Sequence, residues 1–301
     1  MMERVPELSV VVAAQDAGPL LHSCLAALKS QFAATPLEVI VAQGSGRSGV
    51  AADLGRFGFA RVLDCPAGSS VPDLWTQGIR AARGRLVAIT YENCCPAQDW
   101  AAQLVAAHQV SAAGVGGAIE PGALSKLVDW AVYFCRYSNS MLPIEKRAID
   151  DLAGDNCCYI RDALTAVDSL MSDGFWETFI HRNMRSRNQT LLAVPGPVVV
   201  YQGGLEGWRF FRRRFIHARY FAARLSRGMS VTERVARAFV FPAVPFLLFR
   251  RIGGRVWRNG RFRRRFVLAT PLVFAFLTAW ACGEAAGYAF GFRGTPHGGA
   301  A

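Results

Sequence analysis

Apolar positions along the chain come in two rhythms: short runs apolar at nearly every place, and longer stretches apolar at every third or fourth. The runs "LSVVVAA" (8–14) and "LEVIVAQ" (37–43) predict strands buried on both faces, and "ARVLDCP" (60–66) and "RLVAITY" (85–91) predict two further short strands. Between them, "PLLHSCLAALKSQ" (19–31) puts Leu21, Cys24, Leu25 and Leu28 on one helical face. "VPDLWTQGIRAARG" (71–84) predicts a helix stopped by Gly84. Strand and helix in alternation predict an α/β fold, a mostly parallel sheet with helices on both faces. Farther on, 110–121 and 156–164 read as strand, 173–188 as helix, and 190–204 as strand with a proline break.

The rhythm changes after Gly204. Segment 208–228 predicts a basic helix rich in aromatics, and 235–249 is apolar but twice interrupted by proline. Segment 250–265 is intensely basic, and 266–292 stays apolar until Glu284, close to the ~18–20 residues that a membrane span needs. The predicted division is therefore a sheet domain at 1–205 and a basic, apolar helical region at 206–301 for membrane association.

Composition narrows the partners. Of 301 residues, 52% are hydrophobic and 19% charged, with a net charge of +12, so an anionic partner is expected. The arginines gather between Arg209 and Arg265 beside apolar runs, which points to an anionic membrane surface and away from nucleic acid. Eight cysteines form no disulfide-like framework, and the N-terminus reads as a first strand instead of a secretory leader, so a reducing cytoplasmic setting is expected. The doublets Cys94–Cys95 and Cys157–Cys158 lack metal-ligand spacing and read as small core residues. His22, His108, His181 and His217 have no partner at ligand spacing.

In open α/β sheets, ligands bind beyond the carboxyl ends of the strands, which directs attention to the residues after Ala14, Val41 and Ile89. "GSGRSG" (44–49) fits neither a dinucleotide fingerprint nor a P-loop and reads as a tight turn. Glu92, in "YENCCP", either ends a strand in solvent or serves a ligand at the productive edge. Glu177, in "DGFWETF", with Asp173 four residues before it, is either a general base or an acid that complements a helix N-terminus.

The succession "LSVVVAAQDAGPLLHSCLAALKSQ", "LEVIVAQGSGRSG", "GIRAARGRLVAITYENCCPAQDW" and "AGDNCCYIRDAL" resembles the family 2 glycosyltransferases over roughly residues 8–204. The resemblance implies a GT-A fold, a nucleotide-sugar donor and inversion at the anomeric carbon. It places Ala13, Gln15 and Asp16 after the first strand and Gln43 and Gly44 after the second, facing the nucleotide. Trp75 stands ahead of the Gly78–Ile79 helix, also among the donor-binding positions. The family's Asp-x-Asp, which holds a divalent metal and the diphosphate, falls on Tyr91, Glu92 and Asn93. Glu92 and Asn93 are thus the implied ligands of Mg or Mn, and Glu177 with Asp173 the implied catalytic acids.

The resulting expectation is an inverting glycosyltransferase on the cytoplasmic face of the cell membrane. Its donor is a nucleotide sugar and its acceptor a lipid or a cell-envelope saccharide. Segment 266–283 crosses once or returns as a hairpin with 235–249. Acids missing from Gln43, Tyr91 and Asn93 also suit a transferase-like protein that binds without turnover. The basic tail alone suits a membrane-surface scaffold.

Overall fold

The computed structural model describes residues 6–32, 34–46, 54–108 and 111–292, the Arg56 side chain excepted. They divide into two compact units. The first runs to Glu120 and resumes over Leu142–Gln202; the second joins Pro121–Met141 to the described residues from Gly203 onward. Residues 121–141 group with the C-terminal helices.

The first unit is built on β1 (Leu8–Ala14), β2 (Leu37–Gln43), β3 (Ala60–Asp64), β4 (Leu86–Tyr91), β5 (Cys94–Pro96), β6 (Gly114–Pro121), β7 (Arg147–Ala148), β8 (Asn156–Ile160) and β9 (Leu191–Tyr201). Among the described residues these form one nine-stranded sheet in the order β3-β2-β1-β4-β8-β6-β9-β5, with β7 also on β9. The strands β3, β2, β1 and β4 are parallel, Val11 lying beside Ile40 on one side and Ile89 on the other. Strand β8 then runs antiparallel to β4, so that its first residue, Asn156, faces Thr90. The start of β8 therefore lies at the carboxyl end of the parallel strands.

Helices α1 (Pro19–Lys29), α2 (Val71–Ala81), α3 (Trp100–Ala107), α5 (Arg161–Thr165) and α6 (Glu177–Ser186) belong to the same unit, and α4 (Leu127–Tyr137) to the second. Helix α2 starts in a capping box between Ser70 and Asp73 and ends at Ala81, with Ala82 as its C-cap, before the expected Gly84. Gly84 instead donates its amide to Ser9 Oγ at 2.8 Å. Ser9 and Arg83 both donate to Glu38. Burial pushes the Glu38 carboxyl up, but these donors outweigh it and hold it below the usual carboxylate range. This lock closes the edge of the sheet where β1 and β2 begin.

Two further expectations change, and one strand is added to those read from the sequence. The apolar stretch after Asn93 carries β5, paired with the last residues of β9. Strand β9 continues through Pro195 and Pro197 without a break, the Pro197 carbonyl accepting the Asn156 amide at 3.0 Å. Strand β8 stops at Ile160, where the short helix α5 begins. The eight cysteines are free, and Cys157 and Cys158 are fully enclosed in β8.

In the second unit, α7 (Gly207–Leu225), α8 (Val231–Phe239), α9 (Val244–Asn259) and α10 (Arg263–Phe290) follow one another. Helix α10 packs against α4, α7, α8 and α9. At its crossing with α7, Gly283 and Gly287 face Ala218 and Ala222, small residues spaced four apart on both helices. Arg214 on α7 lies over the Trp280 ring, 4.2 Å from its centroid. Helix α10 is continuous through Pro271 and Glu284, and it is long and apolar enough to cross a membrane.

Candidate active site

Strand β1 ends in Ala13 and Ala14, both fully enclosed. Ala13 accepts the Glu92 amide at 3.0 Å and Ala14 accepts the Gly44 amide at 2.9 Å. Their side chains support the sheet and offer no surface to a donor, which corrects the expectation for Ala13. The chain then turns outward through Gln15, exposed Asp16 and Ala17, whose φ of +47° lies in the left-handed region.

Glu92 holds that turn. Its Oε1 accepts the amides of Gln15 at 2.8 Å and Asp16 at 2.9 Å, and its Oε2 accepts the amide of Ala17 at 2.9 Å. Burial pushes the Glu92 carboxyl above its ordinary value, against the three amide bonds, which favour the ionised form. Tyr91, Glu92 and Asn93 are only 2%, 4% and 2% exposed. The Asn93 carbonyl accepts the Gln202 amide at 2.9 Å, and Tyr91 donates its hydroxyl to Gln15 Oε1 at 3.4 Å. These positions do not fit the open ligand set that a hard cation needs. Among the described residues, no three His, Cys, Asp or Glu side chains are grouped to hold a metal ion.

The neighbouring loop is tied in from two sides. Gln15 Nε2 donates to the Ser69 carbonyl at 3.1 Å. Gln43 donates its side-chain amide to the Asp64 carboxylate and accepts from Ser45 Oγ at 2.6 Å. Gly44 accepts the Gly68 amide at 3.0 Å, joining the β2 end to the loop before α2. Asp64, at the end of β3, is an acid that the sequence reading passed over. Of the expected turn "GSGRSG", residues 47–49 lie outside the described residues.

On the other side of β4, Trp75 donates its indole N–H to the Thr90 carbonyl at 2.8 Å, which fixes the ring at the strand's carboxyl end. Gly154, just before β8, leaves the space that Glu177 and Trp75 occupy. A Cβ there would collide with Glu177 Oε1 and stand 2.6 Å from Trp75 Cη2. Glu177 is the first residue of α6 and half-buried. Asp173 belongs to the preceding turn, which docks on α2 as Phe175 donates its amide to the Pro72 carbonyl at 2.8 Å. Asp173 accepts the Trp176 indole through its backbone carbonyl at 2.7 Å.

One turn beyond Glu177, His181 is fully buried, with Nε2 2.7 Å from the Tyr159 hydroxyl and Nδ1 3.2 Å from Asp151 Oδ1. Cys157 donates its thiol to the same Tyr159 oxygen at 3.2 Å. Burial holds His181 below its ordinary value and therefore neutral near pH 7. Spacing gave no sign of this chain, because its members meet only across β8 and α6.

Gln15, Glu92, Gln43, Gly44, Trp75 and Glu177 thus lie along the carboxyl edge of the parallel strands. Glu177 and Trp75 meet at Gly154, and Gln15 and Glu92 meet in the β1–α1 turn.

Among solved structures, the chain is similar to the mannosyltransferase PcManGT from Pyrobaculum calidifontis in complex with GDP-Man and Mn2+. The TM-score is 0.59 at 17% identity, over 93% of this chain and 87% of that one. A mycobacterial protein's crystal structure superposes with a TM-score of 0.49 at 15% identity, over 71% of this chain and 73% of that one. By sequence, no protein-family model and no characterised protein matches. At 17% identity the likeness is one of fold: this chain shares the mixed α/β, Rossmann-like sheet architecture of that mannosyltransferase.

Proposed function

We propose that the chain is a glycosyltransferase of the family 2 type, moving a sugar from a nucleotide-sugar donor with inversion. The observation that carries this reading is Glu177, whose carboxylate shares with Trp75 the space left by Gly154, at the carboxyl edge of the sheet. The likeness in fold to a mannosyltransferase supports it. In this reading the acceptor hydroxyl gives its proton to Glu177 while its oxygen attacks the anomeric carbon. The bond from that carbon to the diphosphate breaks, and nucleoside diphosphate leaves with the electron pair. Trp75 would hold one side of the sugar site, and the 15–17 turn with the Gln43–Asp64 pair would face the nucleotide.

The acceptor in this reading is a lipid or a cell-envelope saccharide, reached from the cytoplasmic face of the membrane. The apolar helix α10 and the arginines of α7–α9 support membrane association. The test is release of nucleoside diphosphate from a panel of nucleotide sugars in the presence of lipid and saccharide acceptors. Glu177→Gln is expected to lower kcat by about 10²–10⁴-fold while leaving donor binding nearly unchanged. No turnover with any donor, or full activity in the variant, would sink the proposal. Donor binding without turnover would favour a second reading, a non-catalytic sugar-nucleotide binder, which the engaged side chains of Gln43 and Glu92 support.

A further inference from the structure

A hard divalent cation that bridges a diphosphate needs carboxylate oxygens open toward the ligand. At the strand end where this fold family carries its metal-binding acids, Glu92 turns the other way. Both its oxygens are spent on three successive backbone amides, those of Gln15, Asp16 and Ala17, which lie 75–77 residues away in sequence. Its side chain is sealed from solvent, as are Tyr91 and Asn93 on either side.

What this carboxylate does can be read from the turn that it holds. Three consecutive amides that converge on one anion cannot all be satisfied by an ordinary turn, and left buried without partners each would cost about 1–3 kcal/mol. Ala17 also takes a left-handed backbone that non-glycine residues adopt at a cost of about 1–2 kcal/mol. The Glu92 bonds offset both terms. Gln15 is thereby set so that its side chain spans from β1 to the Ser69 carbonyl and meets the Tyr91 hydroxyl.

We propose that Glu92 is a positioning residue, an anionic clamp that shapes the β1–α1 turn for the nucleotide, and that nucleotide binding at this edge proceeds without a divalent ion. The inference rests on the donor-site reading above. Asp16 is an exposed acid on the same turn, and among the described residues it belongs to no group of three His, Cys, Asp or Glu side chains that could hold a metal ion.

Two measurements on the full chain test this. Amide hydrogen exchange across 8–20 is expected to show Gln15, Asp16 and Ala17 protected equally in EDTA and in Mn2+. In Glu92→Gln, whose NH2 opposes a backbone donor, exchange at these amides should rise about tenfold or more while β1 stays protected. Calorimetry with UDP and GDP should give dissociation constants within about twofold between EDTA and Mn2+, and about tenfold weaker binding in Glu92→Gln in both. Binding at least about tenfold tighter in Mn2+, with that gain lost in Glu92→Gln, would overturn the proposal, as would unchanged exchange in the variant. If neither nucleotide binds in either condition, the donor-site reading falls, and the exchange data still decide the clamp. Should Glu92→Gln not fold, Glu92→Asp serves, since its shorter side chain cannot reach all three amides.

Discussion

At the scale of single residues, the candidate site depends on absent atoms as much as on present ones. Gly154 leaves room for the Glu177 carboxylate and the Trp75 ring, and any side chain there would displace one of them. If Glu177 is the base of the proposed function, Gly154→Ala is expected to lower kcat by about 10–100-fold, since small misplacements of such a group are costly. The double variant Gly154→Ala/Glu177→Gln should lose no more than Glu177→Gln alone, because both changes act through one carboxylate. Additive losses in steady-state kinetics would show that Gly154 acts through general destabilisation instead. Glu177 itself was legible in the sequence as a first-turn acid after an aromatic pair. The role of Glu92 was not, because its three partners lie in a different turn, brought near only when β1 pairs with β4.

At the scale of elements, the unbroken apolar runs predicted β1, β2 and β4 well, because strands buried on both faces permit little else, whereas the edge strand β3 is half-exposed. Helix α4 escaped the reading for the opposite reason. Residues 129–134 are buried consecutively, Asp129 among them, so the apolar and polar residues do not sort onto the buried and open faces that sequence reasoning looks for. The crossing of α7 and α10 depends on a close approach: a Cβ at Gly287 would collide with the Arg219 carbonyl and stand 2.8 Å from Ala222 Cβ. Gly254 on α9, by contrast, has open space around it. Helix propensity favours alanine over glycine by about 1 kcal/mol at either place. Gly254→Ala should therefore raise the melting temperature. Gly287→Ala should lower it, because overpacking costs about 1–3 kcal/mol. Equal shifts of the same sign would refute the close-packed crossing.

At the scale of the whole molecule, the two units differ in what they show to solvent. Every exposed large hydrophobic side chain among the described residues lies in the second unit, from Leu127 to Phe290. Val231, Val235 and Phe239 repeat along one face of α8, followed by Phe246 and Leu247 at the start of α9. The exposed Arg250 and Arg251 come next. This combination suits an anionic bilayer surface. The full chain should sediment with vesicles containing phosphatidylglycerol more strongly than with phosphatidylcholine alone, and less so as salt rises. Phe239→Glu should weaken that binding. Equal partition to both vesicles would exclude the electrostatic part of the reading.

The sequence by itself determined the class of the first unit, the edge that carries the candidate site and the separation of a basic, apolar tail. These follow from local periodicity and from the rule that parallel strands present ligands at their carboxyl ends. Tertiary structure alone decided what each polar side chain does there. Glu92 became an anchor, Gln43 the partner of Asp64, and His181 part of a buried chain. A hydrogen bond is set by distance in space, and here the donors and acceptors are separated by 20 to 80 residues of chain. No local pattern carries that information.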